Sequence, residues 1–164
     1  MSDRNDTNGQ FDLDRSDLAI LAVLAVNARC SITDLATQIG LSKSPTQARI
    51  RRLESTGVIK GYRVLLDPIQ LGLDHVAFVE VRLSDTREVA LIAFNTAVLK
   101  IAEIEQAHMI AGNFDYLIKV RTRNMADYRR VLGEKISSLP HVASTSTYVA
   151  MQAVKEDVLP SIER

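Results

Sequence analysis

The chain contains one cysteine, no tryptophan and few aromatic residues, and its apolar runs are short. A single Cys30 cannot form a disulfide within the chain or a cysteine-based zinc site, which excludes a disulfide-stapled secreted scaffold and a zinc finger. The longest apolar run, Leu18 to Val26, is far shorter than a membrane span, and the first ten residues do not resemble a signal peptide. We therefore expect a cytoplasmic protein with no membrane partner.

Net charge is also missing, because 20 basic residues balance 20 acidic ones, but the charge is unevenly distributed. Segments 1–39 and 64–164 carry an acidic excess, whereas segment 40–63 holds six basic residues and one acidic residue. A basic block in an otherwise acidic chain favours a nucleic-acid surface. With 164 residues and 46% hydrophobic residues, the chain can bury a core in one domain or two small ones.

Segment 12–66 predicts three short helices followed by a small wing. Side chains able to cap a helix precede each one, and glycines follow the second and third. These capping and stop residues are Asp12, Asp14, Ser31, Ser42, Ser44, Gly40 and Gly57. Segment 58–66 is rich in β-branched and aromatic residues and predicts one or two strands. Three helices with a basic third one and a wing are typical of a winged helix-turn-helix.

Segment 74–157 predicts the order strand, helix, strand, strand, helix, strand, which is the ferredoxin-like βαββαβ plan. The alternation in 75–83 gives a first strand with Val76 and Phe78 on the outer face of the sheet. Gly112 and Asn113 predict a tight hairpin with positive φ angles. In the helix between the first two strands, the apolar stripe is predicted to be Val89, Ile92, Ala93 and Thr96.

The predicted fold class is therefore α+β, an N-terminal winged helix-turn-helix followed by a ferredoxin-like domain. Pro68 and Gly72 interrupt both periodicities and suggest the boundary. The predicted divisions are a disordered arm at 1–11, a DNA-binding domain at 12–66, a linker at 67–73, the ferredoxin-like domain at 74–157 and a tail at 158–164.

The third helix supplies the candidates for DNA contact, because the recognition helix of a helix-turn-helix enters the major groove by its N-terminal end. Arg49 and Arg52 share a helix face, and we assign base recognition chiefly to Arg49 and phosphate binding to Arg52. An ordinary solvated helix face is the alternative. The predicted DNA-binding set, with two cations from the wing, is Lys43, Ser44, Thr46, Gln47, Arg49, Arg51, Arg52, Lys60 and Arg63.

Six strings can be compared with known families as they stand. They are LDRSDLAIL at 13–21, LATQIGLSKSPTQARIRRLESTGVIKGY at 35–62, FNTAV at 94–98, HMIAGNFDYLIKV at 108–120, YRRVLGEKISSLP at 128–140 and TYVAM at 147–151. Together they resemble the leucine-responsive regulatory protein family (Lrp/AsnC) of bacterial transcription regulators. The resemblance implies a DNA-binding domain joined to a βαββαβ domain that dimerises, often assembles dimers into octamers, and binds an amino-acid effector.

The loop from Gly112 to Asp115 is the candidate effector site. Its backbone N–H groups could bind a carboxylate while Asp115 binds an ammonium group, but the residues alone favour a plain hairpin turn. The resemblance implies that effectors bind around this loop, at contacts between dimers. The positions carried over from the family are Met109, Gly112, Asn113, Asp115, Met125, Tyr148, Val149 and Ala150. Asn113 departs from the aspartate common in the leucine-responsive branch.

The sequence shows neither a catalytic set nor a metal-ligand spacing. Three histidines, His75, His108 and His141, lie on separate predicted elements, and Cys30 has no histidine nearby in sequence. We expect no enzymatic activity, no metal and no cofactor other than an amino-acid effector.

Three functions remain open at this point. The first is a sequence-specific transcription regulator that senses a small amino acid and controls genes of amino-acid metabolism. The second is an enzyme or regulatory subunit with Asp115 as general base, which leaves the basic helix unused. The third is an architectural DNA-binding protein without an effector. We also expect at least a dimer, because one helix-turn-helix contacts few base pairs and the outer-face residues Val76 and Phe78 need cover.

Overall fold

The computed structural model describes residues 12–156, which form two compact units divided between Leu65 and Leu66. The predicted arm at 1–11 and tail at 158–164 lie outside the described residues. The other domain boundaries stay predictions. No helix among the described residues is long and apolar enough to cross a membrane.

The first unit is built from three helices, α1 (Arg15–Val26), α2 (Ile32–Ile39) and α3 (Lys43–Ser55). Each helix contributes apolar side chains to one small core, which stabilises the unit by removing them from water. The buried members of this core are Ile20, Leu35, Ile50 and Leu53. The helix-turn-helix predicted from the caps is therefore formed by α2 and α3.

The ends of α1 and α2 follow the predicted caps, whereas the predicted cap Ser42 makes no side-chain hydrogen bond at the start of α3. Asp14 accepts the backbone N–H of Asp17 and its own backbone N–H donates to the Asp17 carboxylate, which is a reciprocal capping box. Ser31 accepts the N–H of Asp34 at the start of α2. Gly40 ends α2 at φ 71°, a left-handed conformation that favours glycine.

The predicted strands at 58–66 are wrong: no strand is present between residues 56 and 74. A β-prone run becomes a strand only when another strand pairs with its backbone, and within residues 12–156 this run has no such partner. Val64 and Leu65 are 79% and 91% exposed. The side chain of Tyr62 instead returns to α3, where its hydroxyl donates to the Glu54 carboxylate at 2.9 Å.

The second unit contains one antiparallel sheet of four strands in the order β2-β3-β1-β4. The strands are β1 (His75–Leu83), β2 (Ile104–Met109), β3 (Tyr116–Thr122) and β4 (Val142–Val149). The two central strands, β1 and β3, alternate between buried and more exposed residues along most of their length. This order and alternation confirm the predicted ferredoxin-like plan.

Two helices pack on the inner face of the sheet. They are α4 (Glu88–Val98) and α5 (Met125–Val131), and α5 continues as a π-helical turn over Leu132–Ile136. The main buried side chains between sheet and helices are Ala77, Val79, Val81, Phe94, Val98, Tyr116, Ile118, Val120, Tyr128, Val131, Ile136 and Leu139. This is the larger of the two cores.

The buried face of α4 differs from the predicted one. Ala90, Phe94 and Val98 are buried, whereas Val89 and Ile92 are 80% and 55% exposed. The helix is apolar around most of its circumference, so its periodicity does not select a face. The aromatic ring of Phe94 packs 4.4 Å from that of Tyr116, centroid to centroid, and this large contact sets the orientation of α4.

The outer face of the sheet is less exposed than the sequence predicts. Val76, for which the sequence predicts cover from another chain, is only 6% exposed. Its carbonyl accepts the N–H of Ala150 at 2.9 Å, so the segment after β4 follows β1 closely. Phe78, on the same face, is half-buried. The outer face of the sheet is therefore partly covered within the chain itself.

Truncation of a side chain should lower the free energy of unfolding more on the buried face of α4 than on its exposed face. Phe94→Ala should lower the free energy of unfolding by about 3–5 kcal/mol, because it leaves a cavity against Tyr116. Ile92→Ala, on the exposed face, should cost only about 0.5 kcal/mol. Urea unfolding at one protein concentration measures both values. Equal costs would contradict this orientation of the helix.

Candidate functional site

The exposed face of α3 is the candidate DNA surface. Thr46, Ile50 and Leu53 are buried and define the side of the helix that meets the core. With 100° between successive residues, Ser44, Ala48 and Arg51 lie on the opposite side, and all three are exposed. The other predicted DNA-binding residues that are exposed are Lys43, Gln47, Arg52, Lys60 and Arg63.

Thr46 does not belong to this surface. Its side chain is fully buried, and its hydroxyl donates to the carbonyl oxygen of Ser42 at 2.9 Å. The hydroxyl therefore stabilises the first turn of α3, where Ser42 makes no side-chain cap. The prediction that Thr46 contacts DNA is wrong, because a residue on the core side of the recognition helix cannot reach it.

Arg49 and Arg52 share a helix face as predicted, but that face meets α1. Arg49 donates from one guanidinium nitrogen to Asp14 at 2.6 Å and to Asp17 at 2.9 Å. Arg52 donates to the other oxygen of the Asp17 carboxylate. The Asp17 side chain is 0% exposed, so two arginines and the α1 cap surround a buried negative charge. We name Asp14, Asp17, Arg49 and Arg52 the α1–α3 ion cluster.

The hydrogen bonds of the cluster keep its carboxylates ionised. Burial alone would raise the pKa of Asp17, but hydrogen bonds from Arg52, Arg49 and the Asp14 backbone outweigh burial and hold that pKa below the usual 3.8. The pKa of Asp14 is also lowered, first by the backbone N–H of Asp17 and then by Arg49. The pKa of Arg49 is raised by the same two carboxylates.

Asp17 is not among the residues predicted from the sequence to have a role. Its spacing carried a signal, because Asp17 stands three residues before Ile20 and seven before Leu24, on the apolar side of the helix. A charge at such a position needs an opposite charge to be buried. The basic face of α3 supplies it, and the assignment of Arg49 to bases and Arg52 to phosphate does not match these contacts.

The loop between β2 and β3 is longer than the predicted tight hairpin. It runs from residue 110 to 115 and is closed by the Ile110 N–H, which donates to the Asp115 carbonyl at 2.8 Å. Neither Gly112 nor Asn113 has a positive φ, so that part of the prediction is wrong. Four residues between the closing pair reverse the chain gradually, and no left-handed residue is required.

Asp115 has a structural partner in this loop. One oxygen of its carboxylate accepts the N–H of Leu83 at 2.7 Å, and its own N–H donates to the Val81 carbonyl at 3.0 Å. Asp115 therefore fastens the loop to the end of β1. The second carboxylate oxygen makes no hydrogen bond within residues 12–156, and it is the atom available to a ligand.

One chain does not bring all the predicted effector residues together. Met109 pairs with Tyr116, at the end of the sheet where the loop lies. Tyr148 and Val149 belong to β4, which is three strands away from β2. They pair with residues near the beginning of β1, toward the end of the sheet opposite the loop. The members near the loop are Met109, Gly112, Asn113 and Asp115, and those away from it are Met125, Tyr148, Val149 and Ala150.

The histidines and the cysteine of the described residues form no metal site. Within 12–156, no three His, Cys, Asp or Glu side chains form a group that could hold a metal ion. Cys30 is a half-exposed free thiol. His75 contacts the hydroxyl of Thr122 at 3.0 Å and stacks near Tyr128, which is a structural role in the second unit.

Models of two known protein families match the chain, one in each unit. A winged helix-turn-helix DNA-binding model matches residues 13–60, and a model of the Lrp/AsnC ligand binding domain matches residues 76–160. A proline dehydrogenase transcriptional activator of Rhodobacter capsulatus is 57% identical over 150 residues, covering 92% of this chain and 97% of that protein. A protein of the same name from Rhizobium radiobacter is 60% identical over 145 residues, with 88% and 93% covered.

A solved structure gives the same similarity in three dimensions. The crystal structure of a transcriptional regulator from Neisseria meningitidis in complex with L-Met matches with a TM-score of 0.83 and 28% identity. The match covers 90% of this chain and 96% of that one.

The lowered pKa of Asp17 predicts how the stability of the first unit depends on pH. The ionised carboxylate stabilises the fold above the ordinary pKa of 3.8, and this contribution is lost as the pH falls through the lower pKa of the folded state. At pH 7, Asp17→Asn should therefore lower the free energy of unfolding by about 2–3 kcal/mol. That is less than for a fully buried pair, because both guanidinium groups are partly exposed.

The difference in the free energy of unfolding between the parent and Asp17→Asn should shrink toward zero as the pH falls below the pKa of Asp17 in the folded state, because the parent carboxyl is then also neutral. Denaturant unfolding of both proteins between pH 7 and pH 2.5 measures it. A difference that stays constant over this range would contradict an ionised Asp17 in the folded state.

Proposed function

Since this chain belongs to the Lrp/AsnC family of transcription regulators, we propose that it activates transcription of a proline dehydrogenase gene and that its effector is proline. The observation that carries the proposal is the identity of 57% and 60%, over nearly the whole of two proteins named for that activation. Proline dehydrogenase consumes proline, so proline is the amino acid whose abundance such a regulator has reason to sense.

The exposed side of α3 supports specific binding to double-stranded DNA. It presents Gln47 and Arg51, whose side chains can each form two hydrogen bonds to a base edge, and Ser44, which suits phosphate. One such helix covers few base pairs, so the protein is expected to act as a dimer on two half-sites separated by whole helical turns. Assembly of dimers into octamers stays a prediction.

The effector site is proposed to form between two chains. The loop of one chain offers the open carboxylate oxygen of Asp115 to the ammonium group of the amino acid, and loop N–H groups to its carboxylate. Tyr148, Val149 and Ala150, which lie away from that loop in the same chain, are available to a second chain, because Tyr148 is 54% and Val149 43% exposed.

A thermal-shift screen of the purified protein against the twenty amino acids tests the effector. A ligand at one hundred times its Kd adds about 2.7 kcal/mol of stability, so proline should raise the unfolding temperature of the protein clearly. Leucine and methionine are the informative comparators, since relatives of this family are named for or solved with them. A shift with leucine alone would overturn the proline assignment, and no shift with any amino acid would favour the architectural function.

Asp115→Asn tests the proposed ammonium contact while keeping an oxygen for the Leu83 N–H. Loss of a charged partner in a desolvated pair costs about 2 kcal/mol or more, so the affinity for proline should fall about thirtyfold. DNA binding without effector should be unchanged. Calorimetry and fluorescence anisotropy on one labelled duplex measure the two affinities.

Asp67→Asn is the matched control, because Asp67 also accepts a backbone N–H, from Ile69, and lies outside the proposed site. It should leave proline affinity unchanged. Equal proline affinity in the parent and Asp115→Asn would show that Asp115 has only its structural role in the loop.

A further inference from the structure

The arginines of α3 divide into two kinds by their contacts. Arg49 and Arg52 donate to buried Asp17 and lie on the flank that meets α1. Arg51 lies on the opposite side from the core and is exposed, and its side chain makes no hydrogen bond or ion pair with another residue of the described range 12–156. Arg51 is therefore the arginine of this helix whose guanidinium can turn to a base edge without breaking a hydrogen bond or an ion pair.

Release of Arg49 or Arg52 for DNA would be costly. Asp17 is 0% exposed, and its carboxylate depends on both guanidinium groups for charge compensation. Removing one partner of a buried ion pair leaves the other uncompensated in a medium of low polarity. The contact of either arginine with DNA would have to be more favourable than its ion pair with Asp17 before it could add to the affinity.

The cluster also fixes the orientation of α3. Arg49 reaches Asp14 and Asp17 at the start of α1, and Arg52, one turn later, reaches Asp17 again. Two attachment points one turn apart on one flank oppose rotation of α3 about its own axis. The direction in which Arg51 points is set by that orientation, because Arg51 lies on the same helix.

We propose that Asp17 is a positioning residue for DNA recognition and that Arg51 is the specificity-determining arginine. Asp17 holds Arg49 and Arg52 against α1, and Arg51, on the outward side of α3, forms the paired hydrogen bonds to a base edge, for which guanine is the best partner. The proposal rests on DNA binding by the family and is independent of which amino acid is sensed.

The test uses the full-length protein and two duplexes. The first duplex is selected from a random library by the parent protein, and the second has the same composition in scrambled order. Affinities for both are measured by fluorescence anisotropy at several salt concentrations, which gives the sequence preference and the salt slope for each variant. Circular dichroism and thermal unfolding verify the fold.

The first comparison is Arg51→Ala against Arg49→Ala. Arg51→Ala should reduce the preference for the selected duplex about tenfold or more, because it removes a bidentate base contact. Arg49→Ala removes the same side chain two positions earlier, together with one of the two attachments of α3 to α1, but leaves Arg52 on Asp17. It should therefore lower stability, and it should reduce the preference less than Arg51→Ala does. If Arg49→Ala, while folded, loses the preference and Arg51→Ala keeps it, the assignment is overturned.

The second comparison tests the positioning role through a change that lost stability cannot produce. Asp17→Asn releases two guanidinium groups, so binding to the scrambled duplex should become tighter, and the salt slope steeper by about one to two phosphate contacts. A purely structural role would weaken both duplexes and leave the slope unchanged, which would overturn the proposal.

Asp34→Asn is the control for net charge, since it removes one negative charge from α2 and releases no arginine. It should leave the slope as in the parent. Adding Arg49→Ala and Arg52→Ala to Asp17→Asn should return the slope toward that of the parent.

If Asp17→Asn does not fold, the Arg51 comparison alone decides the assignment of the base contact. A parent protein that selects no sequence would overturn specific DNA binding and this proposal together.

Discussion

The DNA-binding unit depends on one buried carboxylate. Asp17 is enclosed at the start of α1, and within residues 12–156 the charges that compensate it come from α3. Among the described residues of this unit the apolar core is small, with four fully or nearly buried large side chains. Such a core favours association of the three helices and buries one side of α3. The hydrogen bonds from Arg49 and Arg52 are directional, and they oppose rotation of α3 about its own axis.

Much of the fold could be predicted because local signals agreed with tertiary packing. Asp14, Ser31 and Gly40 begin or end helices where their side chains or backbone preferences require, and these interactions span only three or four residues. The alternation in β1 likewise follows from one buried face. Caps and periodicity together thus gave the order of the two domains, and the family strings added the effector role and its candidate residues.

The predictions that the structure contradicts depend on interactions between residues far apart in the chain. The strand-forming residues at 58–66 have no partner strand in the part of the chain that the structure describes, and an apolar α4 is oriented by Phe94 against Tyr116, 22 positions later. Arg49 contacts residues 32 and 35 positions earlier. Helix periodicity correctly placed Arg49 and Arg52 on one face, but it could not say which face meets α1. The candidate effector residues were found by resemblance, and their separation within one chain was visible only in the sheet register.

The distance between the loop of Asp115 and the end of β4 has a further consequence for a protein that senses a metabolite. If the ligand contacts both, its binding and the association of chains are one linked equilibrium, and each must strengthen the other by the same factor. The apparent affinity for the ligand then depends on how many copies of the protein the cell contains. The expression level of the regulator thus becomes a means of setting its response threshold, without any change in the residues of the site.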